Sequence, residues 1–419
     1  MFGTSSAHCR ALALLASVLL VSSLGLGQNT DDETEFADLL ERAVKLCQGR
    51  AEFMLVSWPI DPALGPEFYP TKGLDRKDAV PFLVDVLLGD PKWARDPLFQ
   101  DTQGLYFHLA RCYAALCLGA IGDNQAFGPL IRVLERPEIP EGYAEVVTKD
   151  NLDSVPSDGR YPPNYGGTAS QYDERQKYPL VDYVMLGLGY LGDKRAVEPI
   201  ILALPRLGQK YQFAAHALAL LDDPRAVMPL IEHASRTGFL DLRVHCCLDH
   251  LTKAHFVILD GSERGTCKFL DFPELGEIPW DLAYLRLWEH WAKEGTSWAI
   301  RHAAWRYAKH KSLSQGSVEY PIRQAIFDDM ARGGRAALVF IMEQIEKGDE
   351  SLVPFIPEWL KPVRKNPFRA ARSPLPANAT RQQCLNWWKA NKEHWLIGFR
   401  SGEKPTAQSQ GDNTAGKDR

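Results

Sequence analysis

Apolar residues recur along most of this chain at steps of three and four, the period of a helix with one buried stripe. Leu109, Cys112, Tyr113, Leu116 and Ile121 make one stripe, and Val181, Val184, Met185, Leu188 and Leu191 a second. Phe213, Ala217, Leu218 and Leu221 make a third. Just past each stripe stands an aspartate: Asp123, Asp193 or Asp223. Aspartate at a helix start accepts from amide N–H groups that lack an intrahelical partner and complements the positive end of the dipole. Three residues later comes Ala126, Ala196 or Ala226, small enough for two helices to approach closely. Three further on comes Pro129, Pro199 or Pro229, each followed by an apolar pair. Pro224, directly after Asp223, takes the first helical position, where a missing N–H costs nothing. Each copy spells helix, tight aspartate corner, second helix, with a proline that kinks or restarts the second helix.

A weaker fourth copy, "DRKDAVPFLVDVL", begins at Asp75 and carries Pro81. One helical hairpin cannot bury its apolar face alone, so hairpins stack into a solenoid. Only the 30-residue gap between Pro199 and Pro229 is an undecorated repeat; the earlier gaps leave room for insertions. The longest insertion, 142–179, is rich in Tyr, Gly, Pro and Asp, and Tyr161, Tyr165 and Tyr172 are its candidate partner-binding residues. A long loop of this kind is either a binding element or plain decoration.

The copies resemble the short HEAT-like repeat first associated with phycobilisome bilin lyases. Its leucine–glycine pair, aspartate, alanine and proline–leucine–isoleucine match Leu118–Gly119, Asp123, Ala126 and Pro129–Ile131, and again Leu188–Gly189, Asp193, Ala196 and Pro199–Ile201. The third copy departs, with Leu218–Ala219 and with Asp222 where the others have Gly122 and Gly192. The resemblance implies an all-α fold, a right-handed α-α superhelix (solenoid) of HEAT-like hairpins. The repeat array is expected over 74–256, after an N-terminal helix and Pro-rich connector over 28–73. A helical, tryptophan-rich region over 257–399 and a disordered polar tail over 400–419 follow. "LTKAHF…WEHWAKEG" and "CLNWWKANKEHW" resemble tails that close exported bacterial HEAT-like arrays. Between His255 and Trp280 many breakers interrupt the helical period.

Residues 1–27 read as a signal peptide, with Arg10 before the apolar run Ala11–Val21 and Gly25 and Gly27 ahead of Gln28. An uncleaved anchor is the other reading; no membrane span is expected after cleavage. The expected location is periplasmic or secreted. Past Cys9, seven cysteines remain: Cys47, Cys112, Cys117, Cys246, Cys247, Cys267 and Cys384. Seven is odd and sparse, so the core rather than crosslinks must hold the fold. A formal charge of −5 argues against a nucleic-acid partner.

Candidate chemistry is thin. "HCCLDHLTKAH" gathers His245, Cys246, Cys247, His250 and His255, but neighbouring cysteines point apart on a helix and the spacing fits no zinc pattern. No metal or cofactor is expected. Relatives that are di-iron hydroxylases need repeated His–Glu pairs, whereas here only the reversed pairs Glu232–His233, Glu289–His290 and Glu393–His394 occur. Trp288, Trp291, Trp298 and Trp305 are spaced either as a buried seam or as a stacking platform for sugars. The expectation is an exported, non-catalytic scaffold whose concave face binds a protein or peptide. The alternative is an exported enzyme or carbohydrate-binding protein that uses the tryptophan-rich region. The oligomeric state is left open.

Overall fold

The computed structural model describes residues 32–48, 74, 76–99, 105–135, 180–208, 211–240, 242–260, 265–313, 320–361 and 373–397. The repeat part comprises α1 (Asp32–Gln48), α2 (Val80–Leu88), α3 (Pro91–Ala94), α4 (Leu105–Ile121), α5 (Phe127–Glu135), α6 (Leu180–Leu191), α7 (Val197–Leu207), α8 (Gln212–Leu221), α9 (Val227–Thr237) and α10 (Leu242–Thr252). Helices α4, α6, α8 and α10 lie side by side as one row, and α2, α5, α7 and α9 form a second row against it. Helix α1 packs on α4, where Phe36 meets Phe82 of α2. The fold is an all-α repeat superhelix.

Each corner is a single 3-10 turn: Asn124–Ala126, Lys194–Ala196 and Pro224–Ala226. The alanine N–H returns to the aspartate carbonyl at 3.0, 2.9 and 3.1 Å respectively. The α-helix begins only at Phe127, Val197 or Val227, so each proline is the third residue of a fresh helix. The first turn has N–H groups with no intrahelical acceptor, and the missing proline N–H is lost without cost. The helix restarts rather than kinks. All three alanines are buried and all three prolines half-buried, so the copies share one environment.

The weak fourth copy is a genuine corner displaced by one residue. Lys77–Ala79 forms the 3-10 turn and the Ala79 N–H returns to the Arg76 carbonyl at 3.1 Å. Arg76, not Asp75, occupies the cap position and gives no side-chain cap. Pro81 falls second in α2, where the other prolines fall third.

Glycine sets how closely the first row packs. A Cβ on Gly119 would sit 2.3 Å from the carbonyl oxygen of Gly187, and one on Gly187 would sit 2.4 Å from that of Ala115. A Cβ on Gly189 would meet the Ala217 Cα at 2.9 Å. Helices α4, α6 and α8 therefore touch backbone to backbone. Every residue of α6 from Asp182 to Leu191 is buried.

The stretch of breakers after His255 folds into a small antiparallel sheet, β1 (Ile258–Asp260), β2 (Thr266–Phe269) and β3 (Ile278–Pro279), in that order. Ile258 faces Phe269, and Cys267 faces Ile278. Helix α11 then runs from Trp280 to Leu313. Gly295 does not stop it; a Cβ there would strike the Trp291 indole at 2.5 Å, so the glycine makes room for that ring. Helices α12 (Tyr320–Met330), α13 (Arg335–Glu346), α14 (Ile356–Trp359) and α15 (Arg381–Ile397) follow. One buried cluster runs from Phe36 to Trp291, and a second joins Phe327 to Trp395. Helix α11 reaches between them, with Ala299 and Ala303 packed on Ala336 and Ala337. No described helix is long and apolar enough to cross a membrane.

Backbone contact through glycine makes a measurable demand. Gly187→Ala is expected to destabilise by roughly 1–3 kcal/mol, the cost of overpacking a closed interface. Gly128→Ala, where a Cβ meets nothing within 4 Å, is expected to stabilise by about 0.5 kcal/mol. Urea unfolding of the two variants should move the midpoint in opposite directions.

Candidate functional site

The three corner aspartates do what their positions predict. Asp123, Asp193 and Asp223 accept from the amides of Gln125, Arg195 and Arg225 at 2.9, 2.9 and 3.0 Å. In the second and third corners the arginine folds back on its own aspartate, and Arg225 grips Asp223 with Nε at 3.0 Å and Nη2 at 2.9 Å. The Arg195 side chain holds the Asp193 carboxyl below the usual carboxylate range. Basic side chains also tie corner to corner. Lys77 approaches Asp123 at 3.9 Å, and the Arg195 guanidinium lies 4.3 Å from the Phe127 ring centre. These residues are architecture. They bring no nucleophile or acid–base pair to a common point.

The third corner differs, and its difference organises a buried charged site. Asp222, in place of glycine, keeps the left-handed turn conformation at φ 47°. Its carboxylate takes a charge-assisted bond from Arg335 Nη2 at 2.5 Å, from the start of α13. His250 Nε2 stands 3.6 Å from the same oxygen, and Lys194 Nζ lies 3.5 Å from the Asp222 carbonyl. Burial alone would raise the Asp222 carboxyl, but Arg335, His250, Lys253 and Lys194 outweigh it and hold it below the usual range. The Arg335 guanidinium is buried and lies 4.0 Å from the centre of the Trp395 ring on α15. Lys253, also left-handed at φ 55°, donates to the carbonyls of Lys361 at 2.9 Å and Trp359 at 3.4 Å. Burial brings its ammonium down to about 8, against the pull of Asp222. A Cβ on Gly334 would overlap the Thr252 carbonyl, so that glycine lets α13 begin against the end of α10. The site ties α13, α14 and α15 to the array.

The His–Cys stretch disperses. The Trp288 indole N–H donates to His245 Nδ1 at 3.0 Å, which leaves the imidazole proton on Nε2, 3.4 Å from Asp249. His245 stacks on Tyr284 with ring centres 4.2 Å apart. Burial drops His245 to about 4 and lifts the Asp249 carboxyl to about 8, so both are neutral at pH 7. His250 turns instead to Asp222, and His255 lies exposed. Among the described residues no group of three or more His, Cys, Asp and Glu could hold a metal ion. Two of the reversed Glu–His pairs turn to separate partners: His233 bonds the Gly208 carbonyl at 2.7 Å and His290 pairs with Glu274 at 2.8 Å, while the His394 side chain lies outside the described residues. Burial pushes the Cys112 thiol up, and no disulfide joins any two of Cys112, Cys117, Cys246, Cys247, Cys267 and Cys384. Trp288, Trp291, Trp388 and Trp395 are core residues, Trp298 is half-buried, and Trp305 is exposed. Four indoles on one open platform are therefore not formed. Tyr161, Tyr165 and Tyr172 lie outside the described residues.

Residues that sequence reasoning missed are Arg335, Lys253 and Trp395. Their one local signal is Asp222 itself, a carboxylate where a left-handed turn asks for glycine.

Hairpins stacked in two rows through aspartate-capped corners define an α-solenoid repeat protein. The family model described as PBS lyase HEAT-like repeat matches residues 110–136, which span most of α4, the first corner and α5. Those residues carry a HEAT-like repeat. No curated protein matches it, and no solved structure does.

Asp222→Gly would restore the residue of the other two corners and relieve about 1 kcal/mol of left-handed backbone. It would also strand the buried Arg335 guanidinium, which costs about 3–5 kcal/mol. The expected result is net destabilisation, largely recovered in Asp222→Gly/Arg335→Met; a double variant as weak as the single would remove the pair from this role. Lys253 supplies a pH test. Above pH 8 the folded protein sheds a proton that the unfolded chain keeps to about 10.5, so this group makes stability rise across that window. Lys253→Met is expected to abolish the rise in urea midpoint between pH 8 and 10.

Proposed function

We propose that the protein is an exported, non-catalytic helical-repeat scaffold that holds a protein or peptide partner along its second row of helices. One observation carries this reading. The first-row helices α6 and α8 are buried almost throughout, whereas α5, α7 and α9 turn the same positions outward. Nine residues after each corner aspartate the surface carries Arg132, Leu202 and Glu232 in turn. Leu202 is 68% exposed, an apolar side chain between two charges of opposite sign. A repeat that writes its contact residues at one fixed offset builds an extended surface suited to another chain. Export rests on the 1–27 segment and its small residues before Gln28. The rival, an enzyme or carbohydrate-binding protein using the tryptophan-rich region, loses most of its platform to the core.

A photo-crosslinking residue at position 202 is expected to yield discrete protein adducts in the exporting compartment, on a chain that begins at Gln28. The same residue at exposed position 358 should yield none. Adducts from both positions alike, or from neither, would count against the row as a binding face.

A further inference from the structure

Between Glu294 and Glu319 the chain carries Arg301, Arg306, Lys309 and Lys311 and no aspartate or glutamate, in a protein of formal charge −5. All four lie on the second half of α11. Arg301, Trp305 and Lys309 are exposed and follow one another at four-residue steps, so they form one outward line. Trp305 is 57% exposed, more than any other tryptophan among the described residues. Arg306 places its guanidinium 4.3 Å from the Trp305 ring centre while Asp329 on α12 holds its Nε at 2.7 Å. Lys311 lies 5.2 Å from the ring centre of Tyr307, whose hydroxyl is anchored on Asp349 at 2.7 Å. Helix α12 adds Ile322, 51% exposed, and Arg323.

We propose that this ridge docks the protein on an anionic lipid surface. A tryptophan set among cations is the composition of interfacial helices, with the indole at headgroup depth and the cations toward anionic lipid. The ridge is the outward side of a helix, convex rather than grooved. A convex line suits a flat, deformable surface, whereas an acidic peptide would want a groove or a sheet edge. The rest of the chain is net negative, so this line of cations is what an anionic surface would attract. The docking surface is separate from the partner row on α5, α7 and α9, and either can fail alone.

The test is co-sedimentation with phosphatidylcholine vesicles with and without phosphatidylglycerol, using the full chain and the chain from Gln28 onward. The shorter chain is expected to bind only the anionic vesicles and to leave them at molar salt. Each cation is worth roughly fivefold, so Arg301→Gln/Lys309→Gln should lower partitioning roughly 25-fold. Trp305→Ala should lower it severalfold. Arg42→Gln/Arg95→Gln removes the same charge at exposed positions outside both surfaces and should change nothing, with circular dichroism confirming that each variant is folded. Equal binding to neutral vesicles, or equal loss in the control pair, overturns the proposal. So does absence of vesicle binding, and if a labelled poly-glutamate peptide then binds through Trp305, the ridge belongs to an acidic protein instead.

Discussion

The close approach of the first-row helices governs the rest of the structure. Where Gly119 meets Gly187 and Gly187 meets Ala115, there is no room for even one methyl group. Helices held that near bury their whole circumference, which is why α6 is closed from Asp182 to Leu191. A helix buried all round cannot present a working surface. Among the described residues of the array, the second row and the corners carry the more open surface.

The corners translate that packing into register. Two rows of helices stay aligned only if every connection has the same length and exit angle. A 3-10 turn closed by the alanine N–H and capped by the aspartate side chain fixes both. The buried alanine, like the glycines, is a requirement of space, and the proline two residues into the new helix marks where 3-10 gives way to α. The fourth copy, at Lys77–Ala79, shows what the aspartate adds. Arg76 stands there without a side-chain cap, and the backbone bond from Ala79 alone closes the turn. The backbone makes the corner, and the carboxylate reinforces it.

Sequence alone revealed the parts of this fold that depend on local chemistry. Asp123, Asp193 and Asp223 act within two residues of themselves, so their offsets from Ala126, Ala196 and Ala226 can be read directly. Pro81 was legible as a corner marker but placed the cap one residue early, because Arg76 offers no capping oxygen. Gly295 lies inside α11 rather than at its end, since its role depends on where the Trp291 ring turns. The three-stranded sheet went unread because its strands are two to four residues long and show no period. Of the site, the corner residues were visible and the charged junction was not. Arg335 and Asp222 lie 113 residues apart, and no spacing rule links a single pair at that distance. The outward residues of the second row were likewise hidden, since exposure is decided by neighbours rather than by a residue's own type.

The third corner shows how a repeat protein can end without fraying. An array whose last hairpin simply stopped would leave an apolar face to water. The third repeat writes Asp222 where glycine would be the easier residue, and the strain of that choice is offset by a buried arginine brought in from α13. A hydrophobic seal alone would tolerate sliding, because Ala299 and Ala303 against Ala336 and Ala337 form a smooth contact. The ion pair does not tolerate it. Asp222 accepts Arg335 in one geometry, Trp395 lies against the guanidinium, and Lys253 reaches the carbonyls beside α14 only from the end of α10. Small residues let the C-terminal helices come close, and the charges decide where they stop. The departure from the repeat is therefore the feature that fixes the closing helices on the array.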